Sequence, residues 1–314
     1  MEVSDKYIRF DWAVKRILRD KANFDVLEGL ITVLLGEKIT ISEILESEGN
    51  QEHDFDKFNR VDIKALNSKG EIIIVEVQLT RQIYYLQRML YGVSKAITEH
   101  ISLGEDYGHV KKVYSINILY FDLGRGSDYL YHGKTEFRGV HTGDLLVVNT
   151  KEMNELKLRV PGEIFPEYYI IRVNEFNSVA RTPLEEWLDY LKNNRISDTT
   201  TTPGLQEARE KLLYLSMSDA ERKAYERNID IIVSQNDALA TTRAEGRDEG
   251  RAEGIEIGRE EGIGIGRAEG IEIGRAEGER QKSVAIARKL KAMGVDAATI
   301  QATTDLSAEE IASL

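Results

Sequence analysis

The sequence predicts an α/β core followed by an all-helical C-terminal extension. Three observations predict it. Up to Val173, short β-branched runs interleave with segments of helical periodicity, the pattern of a sheet covered by helices. Structure breakers cluster from Thr199 to Gly204, and only helical patterns follow them. Glycine then recurs at every fourth position from Gly246 to Gly278.

Composition narrows the class. A chain of 314 residues is long enough for a domain with a sizeable core and an accessory region. With 41% hydrophobic and 31% charged residues it reads as a soluble globular protein, and no apolar run approaches the ~20 residues that cross a bilayer. The first ten residues mix acids and bases and lack a signal peptide's apolar stretch, so the expected location is cytoplasmic. The absence of cysteine excludes disulfides and thiolate metal sites. A net charge of −12 excludes a uniformly cationic nucleic-acid binder, so any such binding must come from a local patch.

Taken in order, residues 10–35 read as two helices. Val14, Ile17 and Leu18 mark the first, and Val26, Leu27, Leu30, Ile31 and Leu34 the second, which Asn23 or Asp25 caps. A strand over Lys38 to Leu45 follows, then a polar loop from Glu46 to Asn59. The central hairpin runs from Asn59 through Ile63, turns at Asn67-Ser68-Lys69-Gly70, and returns over Glu71 to Leu79. Residues 80–101 give a helix with Leu86, Leu90, Val93 and Ile97 on one side and Arg81, Tyr84, Arg88, Tyr91 and Lys95 on the other.

Two further strands read over Lys112 to Asp122 and Glu167 to Val173, with turns at Gly124-Arg125-Gly126 and His132-Gly133 between them. Thr182 with Pro183 opens a helix. Gln206 to Asn236 reads as two helices, Ser283 to Met293 as another, and Asp296 to Ala302 and Ser307 to Leu314 as two short ones. These elements divide the chain into a core over 1–198, a helical linker over 199–242, a repeat arm over 243–280 and a small helical hairpin over 281–314. That hairpin is similar to a helix-turn-helix, a pattern shared by many modules that do not read DNA.

In a helix, the repeat's glycines form an i, i+4 row along which a second helix can approach closely, yet each costs about 0.8–1 kcal/mol against alanine. Two readings stay open, a helix ordered by pairing with a partner and a flexible arm. The first makes the protein a homo-oligomer through the repeat.

Chemistry concentrates in the central hairpin. Strand alternation puts Ile72, Ile74, Glu76 and Gln78 on one face, which seats a carboxylate in an apolar strand. A charge there needs a cation, either a basic side chain or a metal ion. Hairpin pairing brings Asp62 within reach, so Asp62, Glu76 and the carbonyl after Glu76 outline a shell for a hard cation, with Gln78 placed to orient water. No acid occurs between Glu76 and Glu99, and the Arg and Tyr side chains of the next helix suit phosphate contact and stacking. An ordinary amphipathic surface helix carries the same pattern. The histidines, His53, His100, His109, His132 and His141, show no metal-ligand spacing and read as surface or turn residues.

The segments Phe10 to Leu18, Arg60-Val61-Asp62-Ile63, Ile74-Val75-Glu76-Val77-Gln78 and Arg88-Met89-Leu90-Tyr91 stand in an order and spacing that resembles the PD-(D/E)XK nuclease family transposases, also called recombination-promoting nucleases. The resemblance covers residues 5–195, and the glycine repeat with its helical end is similar to the tail such proteins carry. It implies a restriction-endonuclease-like core, a mixed central sheet with helices on both faces, and cleavage of DNA with Mg²⁺ or another divalent cation. By position, it makes Asp62 and Glu76 the metal ligands and puts Gln78 where the wider superfamily has lysine. An amide cannot accept a proton at neutral pH as an amine can, which leaves the general base open. Asp11 becomes a candidate outer carboxylate and Lys15, one turn on, a candidate phosphate contact. Their plainer readings are a helix cap and a solvated charge. The alternative function is a catalytically weak nuclease fold that binds DNA or regulates through its oligomerising C-terminal region.

Overall fold

A computed structural model describes residues 7–45, 61–101, 104–152 and 155–314. The loop expected over Glu46 to Asn59 lies outside them. Helices α1 (Phe10–Arg16) and α2 (Phe24–Leu35) precede strands β1 (Ile41–Leu45), β2 (Ile63–Asn67) and β3 (Ile72–Gln78), after which comes helix α3 (Tyr85–Thr98). Strands β4 (Val113–Leu119), β5 (Leu130–Gly133), β6 (Val148–Glu152), β7 (Glu155–Arg159) and β8 (Glu167–Arg172) follow. The remainder is helical: α4 (Pro183–Asn193), α5 (Leu205–Lys211), α6 (Asp219–Ala292), α7 (Ala297–Thr304) and α8 (Ala308–Ser313).

Six strands form one mixed sheet in the order β1-β2-β3-β4-β8-β5, and β6 pairs with β7 apart from it. Strand β2 runs antiparallel to both β1 and β3, β3, β4 and β8 run parallel, and β5 returns antiparallel on β8. Parallel neighbours require crossovers, and the helices in those crossovers cover the sheet. Accordingly β3 is buried along Ile72 to Val77 on both faces. One face packs Ile72 and Ile74 with Val93 and Ala96 of α3, while Tyr85 at the start of α3 packs with Leu119 and Phe121. The mixed sheet with flanking helices, followed by a long helical C-terminal region, is the restriction-endonuclease-like arrangement the sequence led us to expect.

Local chemistry accounts for the joints. The β2–β3 turn closes because the Asn67 side chain accepts from the amides of Lys69 and Glu71, at 3.0 and 2.9 Å, and because Gly70 takes φ 77°. Thr182 and Glu185 form a reciprocal capping box at the start of α4, with Pro183 in its first turn. Helices α2 and α5 meet at two glycines: a Cβ added to Gly29 would stand 2.2 Å from Gly204 Cα, so any side chain there would force the helices apart. Gly204 also ends the Thr199 to Gly204 break, in which Thr200 and Thr202 are buried.

Several elements differ from expectation. The helix expected from residue 80 begins at Tyr85, and its buried side is Tyr85, Gly92, Val93 and Ala96, whereas Leu86 and Leu90 are 50% and 57% exposed. His132-Gly133 is not a turn but the end of β5, where the His132 ring stacks on Tyr169 with centroids 4.4 Å apart. The β6–β7 hairpin is not among the expected strands, although in β7 Leu156 and Leu158 alternate with Lys157 and Arg159. Helix α6 does not stop near Asn236; it continues without a break through the glycine repeat for 74 residues.

Chain contacts divide the protein into two compact units, one through Glu226 and one from Arg227 to Leu314, so the Thr199 to Gly204 break falls inside the first. The second unit has its own small core, in which Ala287, Ile300, Leu306 and Ile311 are buried together. Ser307 and Glu310 form a capping box that opens α8. No described helix is long and apolar enough to cross a membrane.

Candidate functional site

The site forms where β2 gives way to the chain before it. The β2–β3 ladder ends where Ile63 pairs with Val75, and Asp62 stands one residue beyond it, close enough for its charge to act on Glu76. Asp62 stands just ahead of β2, and its side chain replaces a main-chain partner: Oδ2 accepts the Val77 amide at 2.7 Å. Arg19 fixes the same residue from behind by donating to its carbonyl at 2.6 Å. One carboxylate oxygen is therefore held by the sheet, and Oδ1 is the one directed toward Lys15, whose Nζ lies 4.0 Å away.

Glu76 points to the face covered by α3. Its Oε1 lies 2.6 Å from Arg88 Nη2, yet the two are not aligned for a hydrogen bond, and this buried oxygen has no hydrogen-bond partner. Burial pushes the Glu76 carboxyl above the ordinary carboxylate range; Arg88 opposes this, the Asp62 charge adds to it, and Lys15 opposes it more weakly. Those three charges define its surroundings. Next to Glu76 in the β3–β4 register stands Asn117, which accepts from the Tyr85 hydroxyl at 2.9 Å and donates to Ser115 and to the Tyr169 carbonyl. This chain of hydrogen bonds anchors the first residue of α3, and through it the position of Arg88 one turn later.

The structure thus brings together Asp62, Glu76, Lys15 and Arg88. Gln78 follows on the same strand, with its Nε2 donating to the Thr80 carbonyl at 3.1 Å. Asp11 is engaged elsewhere: it is buried, its Oδ1 accepts from Arg9 Nε at 2.9 Å, and it is not among the charges acting on Glu76. Nor does it cap α1, whose N-cap is Arg9 with no side-chain hydrogen bond. Arg81 and Tyr84 are exposed ahead of α3, Tyr91 is 37% exposed on it, and Lys95 is half-buried near its end.

A divalent cation suits this donor set. The described residues contain no group of three or more His, Cys, Asp or Glu side chains able to enclose an ion. Two carboxylates instead match the habit of Mg²⁺, which takes one or two carboxylates and leaves its other positions to water and phosphate, and a cation there would displace Arg88 from Glu76 Oε1. The Asp62 side chain is 19% exposed and that of Glu76 7%, so the site meets solvent through Asp62 and the 34% exposed Arg88 and not through Glu76.

A family model for PD-(D/E)XK nuclease family transposases matches residues 8–242, well over half of the chain. The chain belongs to that family. No curated protein and no solved structure matches it. The PD-(D/E)XK match takes in the sheet and every helix through α5, and it stops one residue short of the repeat region that starts at Arg243.

Sequence reasoning missed three residues around the nuclease-family site. Arg19, Tyr85 and Asn117 support its geometry without touching the carboxylate pair's open side. Asn117 was detectable, since it is an amide in the middle of an otherwise apolar strand. Arg19 carried no signal, because its target is a main-chain carbonyl.

Proposed function

We propose that this PD-(D/E)XK family member is a metal-dependent DNA endonuclease of the transposase or recombination-promoting type. The observation that supports the reading is the cluster of Asp62 and Glu76, each ion-paired with a cation, Lys15 and Arg88. Asp62 and Glu76 would hold the cation, with the Val77 carbonyl completing the protein's share. Bound there, Mg²⁺ or another divalent ion supplies Lewis-acid stabilisation to the scissile phosphate.

The chain's own groups do the rest. Lys15 and Arg88 place positive charge on either side of the acids, where a phosphate would otherwise be repelled by two carboxylates. The Gln78 side chain lies on the same strand face and orients water by hydrogen bonds without taking its proton. Arg81, Tyr84, Tyr91 and Lys95 extend the cationic and aromatic contact along α3. The C-terminal repeat would join copies of the chain into a homo-oligomer.

A plasmid-nicking assay with Mg²⁺ tests the reading. The wild-type protein is expected to convert supercoiled plasmid to nicked or linear forms, while Asp62→Ala and Glu76→Ala are inactive. A folded wild-type protein that cuts no DNA would favour instead a regulatory role for the C-terminal region.

A further inference from the structure

Beside the carboxylate pair, α3 and the corner before it leave apolar side chains in water. Ile83 is 86% exposed, Tyr84 72%, Leu86 50% and Leu90 57%. At roughly 100° per residue, Leu86 and Leu90 share one rim of the helix's open side, whereas Tyr84 and Tyr91 lie next to Arg88 and Lys95 on the other. Isolated exposed apolar residues are unremarkable, but a contiguous set is the mark of a contact surface.

Charge indicates what is contacted. From Gln78 to Thr98 there is no acid, and Arg81, Arg88 and Lys95 are cations, in a chain whose net charge is −12. A polyanion fits that segment. Duplex DNA presents phosphates outward but keeps its base faces stacked inside, so Ile83, Tyr84 and Leu86 would meet base faces only where a step is unstacked. An unpaired strand offers phosphates and bare base faces together.

We infer that α3 and the Ile83–Tyr84 corner bind nucleobases taken out of the stack, so that the site's substrate class is single-stranded or locally unpaired DNA. This rests on reading Asp62 and Glu76 as a nuclease centre, and adds to it which form of DNA enters. The cations hold the backbone close to the acids. Tyr84 and Tyr91 offer ring faces to bases on the near side of Arg88, and Ile83 with Leu86 blocks restacking.

Fluorescence anisotropy in EDTA, with cleavage suppressed, tests this on labelled oligonucleotides of one length: single-stranded, fully paired, and paired with a central bubble. The wild-type protein is expected to bind the single strand and the bubble about tenfold more tightly than the duplex, the discrimination that one stacked base supplies. Ile83→Ser/Leu86→Ser should lose most of that preference and keep duplex affinity within about twofold, because both side chains are solvent-facing and the cations remain, and Tyr84→Ala should weaken single-strand binding. Equal affinity for the three forms, in a protein that still nicks plasmid, overturns this inference and leaves the nuclease reading standing. Binding to no form of DNA overturns both. A wild-type dimer that Ile83→Ser/Leu86→Ser splits, with single-strand preference intact, assigns the strip to a second copy and overturns the inference.

Discussion

Replacing Glu76 by Gln should make the protein more stable while abolishing cleavage. The carboxylate is 5% exposed, and taking an ion of that kind out of water costs several kcal/mol. Arg88 returns part of that: two charges about 4 Å apart at an effective dielectric near 20 attract by about 4 kcal/mol. The return is less than this here, because Arg88 is a third exposed and screened by water, and Asp62 adds repulsion. Burial therefore wins, as the raised Glu76 pKa records. Gln keeps the shape and removes the charge, and Arg88 remains solvated.

The expected gain at pH 7 without divalent ions is small, about 1 kcal/mol, the part of the burial cost that Arg88 leaves uncompensated, or about 2–4 °C in Tm for a unit of this size. Its pH dependence has a definite sign. A carboxyl whose pKa is raised by folding favours the folded state below its unfolded pKa, and that contribution is lost as pH rises through the folded value. The advantage of Glu76→Gln should thus be largest at neutral pH and vanish on acidification, when the wild-type group is itself neutral. Thermal unfolding followed by circular dichroism, in EDTA and then in excess Mg²⁺, checks each part: Mg²⁺ should raise the wild-type Tm and leave that of Glu76→Gln unchanged. A variant less stable than wild type at pH 7 in EDTA would refute the account of the site's electrostatics.

Two other outcomes are expected. Lys112→Met should cost about 3 kcal/mol in urea unfolding, because Lys112 and Glu167 are each 8% exposed and paired at 2.9 Å; a loss below about 1 kcal/mol would show that His132 and Lys134 suffice for Glu167. Although burial pushes the Glu167 carboxyl up, its hydrogen bonds with Lys112 and His132 hold it below the ordinary range, so its contribution is present above its unfolded pKa and is lost as pH falls through the lowered one. Gly254→Ala/Gly262→Ala should raise the temperature at which helix α6 melts by circular dichroism, since a Cβ at either position meets only open space and each glycine costs the helix about 0.8–1 kcal/mol. If the row is where copies of the chain meet, light scattering should show weaker self-association in the same variant, and an undiminished oligomer would place the contact elsewhere.

What the sequence made legible was local hydrogen-bond chemistry and short-period patterning. The Asn67 to Gly70 turn, the capping boxes at Thr182 and Ser307, and the alternation that isolates Glu76 depend on residues within a few positions of one another. The antiparallel pairing of β2 with β3 was also within reach, because a tight turn fixes a hairpin's register. The exposed rim of α3 was not. A helical wheel tells which residues share a side, and Leu86 with Leu90 looked like a core stripe, but the sheet took the side bearing Tyr85, Gly92, Val93 and Ala96.

The sequence alone thus determined that this chain holds a carboxylate in an apolar strand, with a second acid one hairpin away and an acid-free basic helix after it. Tertiary structure alone decided which cation meets that carboxylate and that Asn117 and Tyr85 hold α3 in place. The reason is distance along the chain. Twelve residues separate Glu76 from Arg88 and forty-one separate it from Asn117, and contacts so remote are selected by how the sheet and helices pack, which no local pattern encodes.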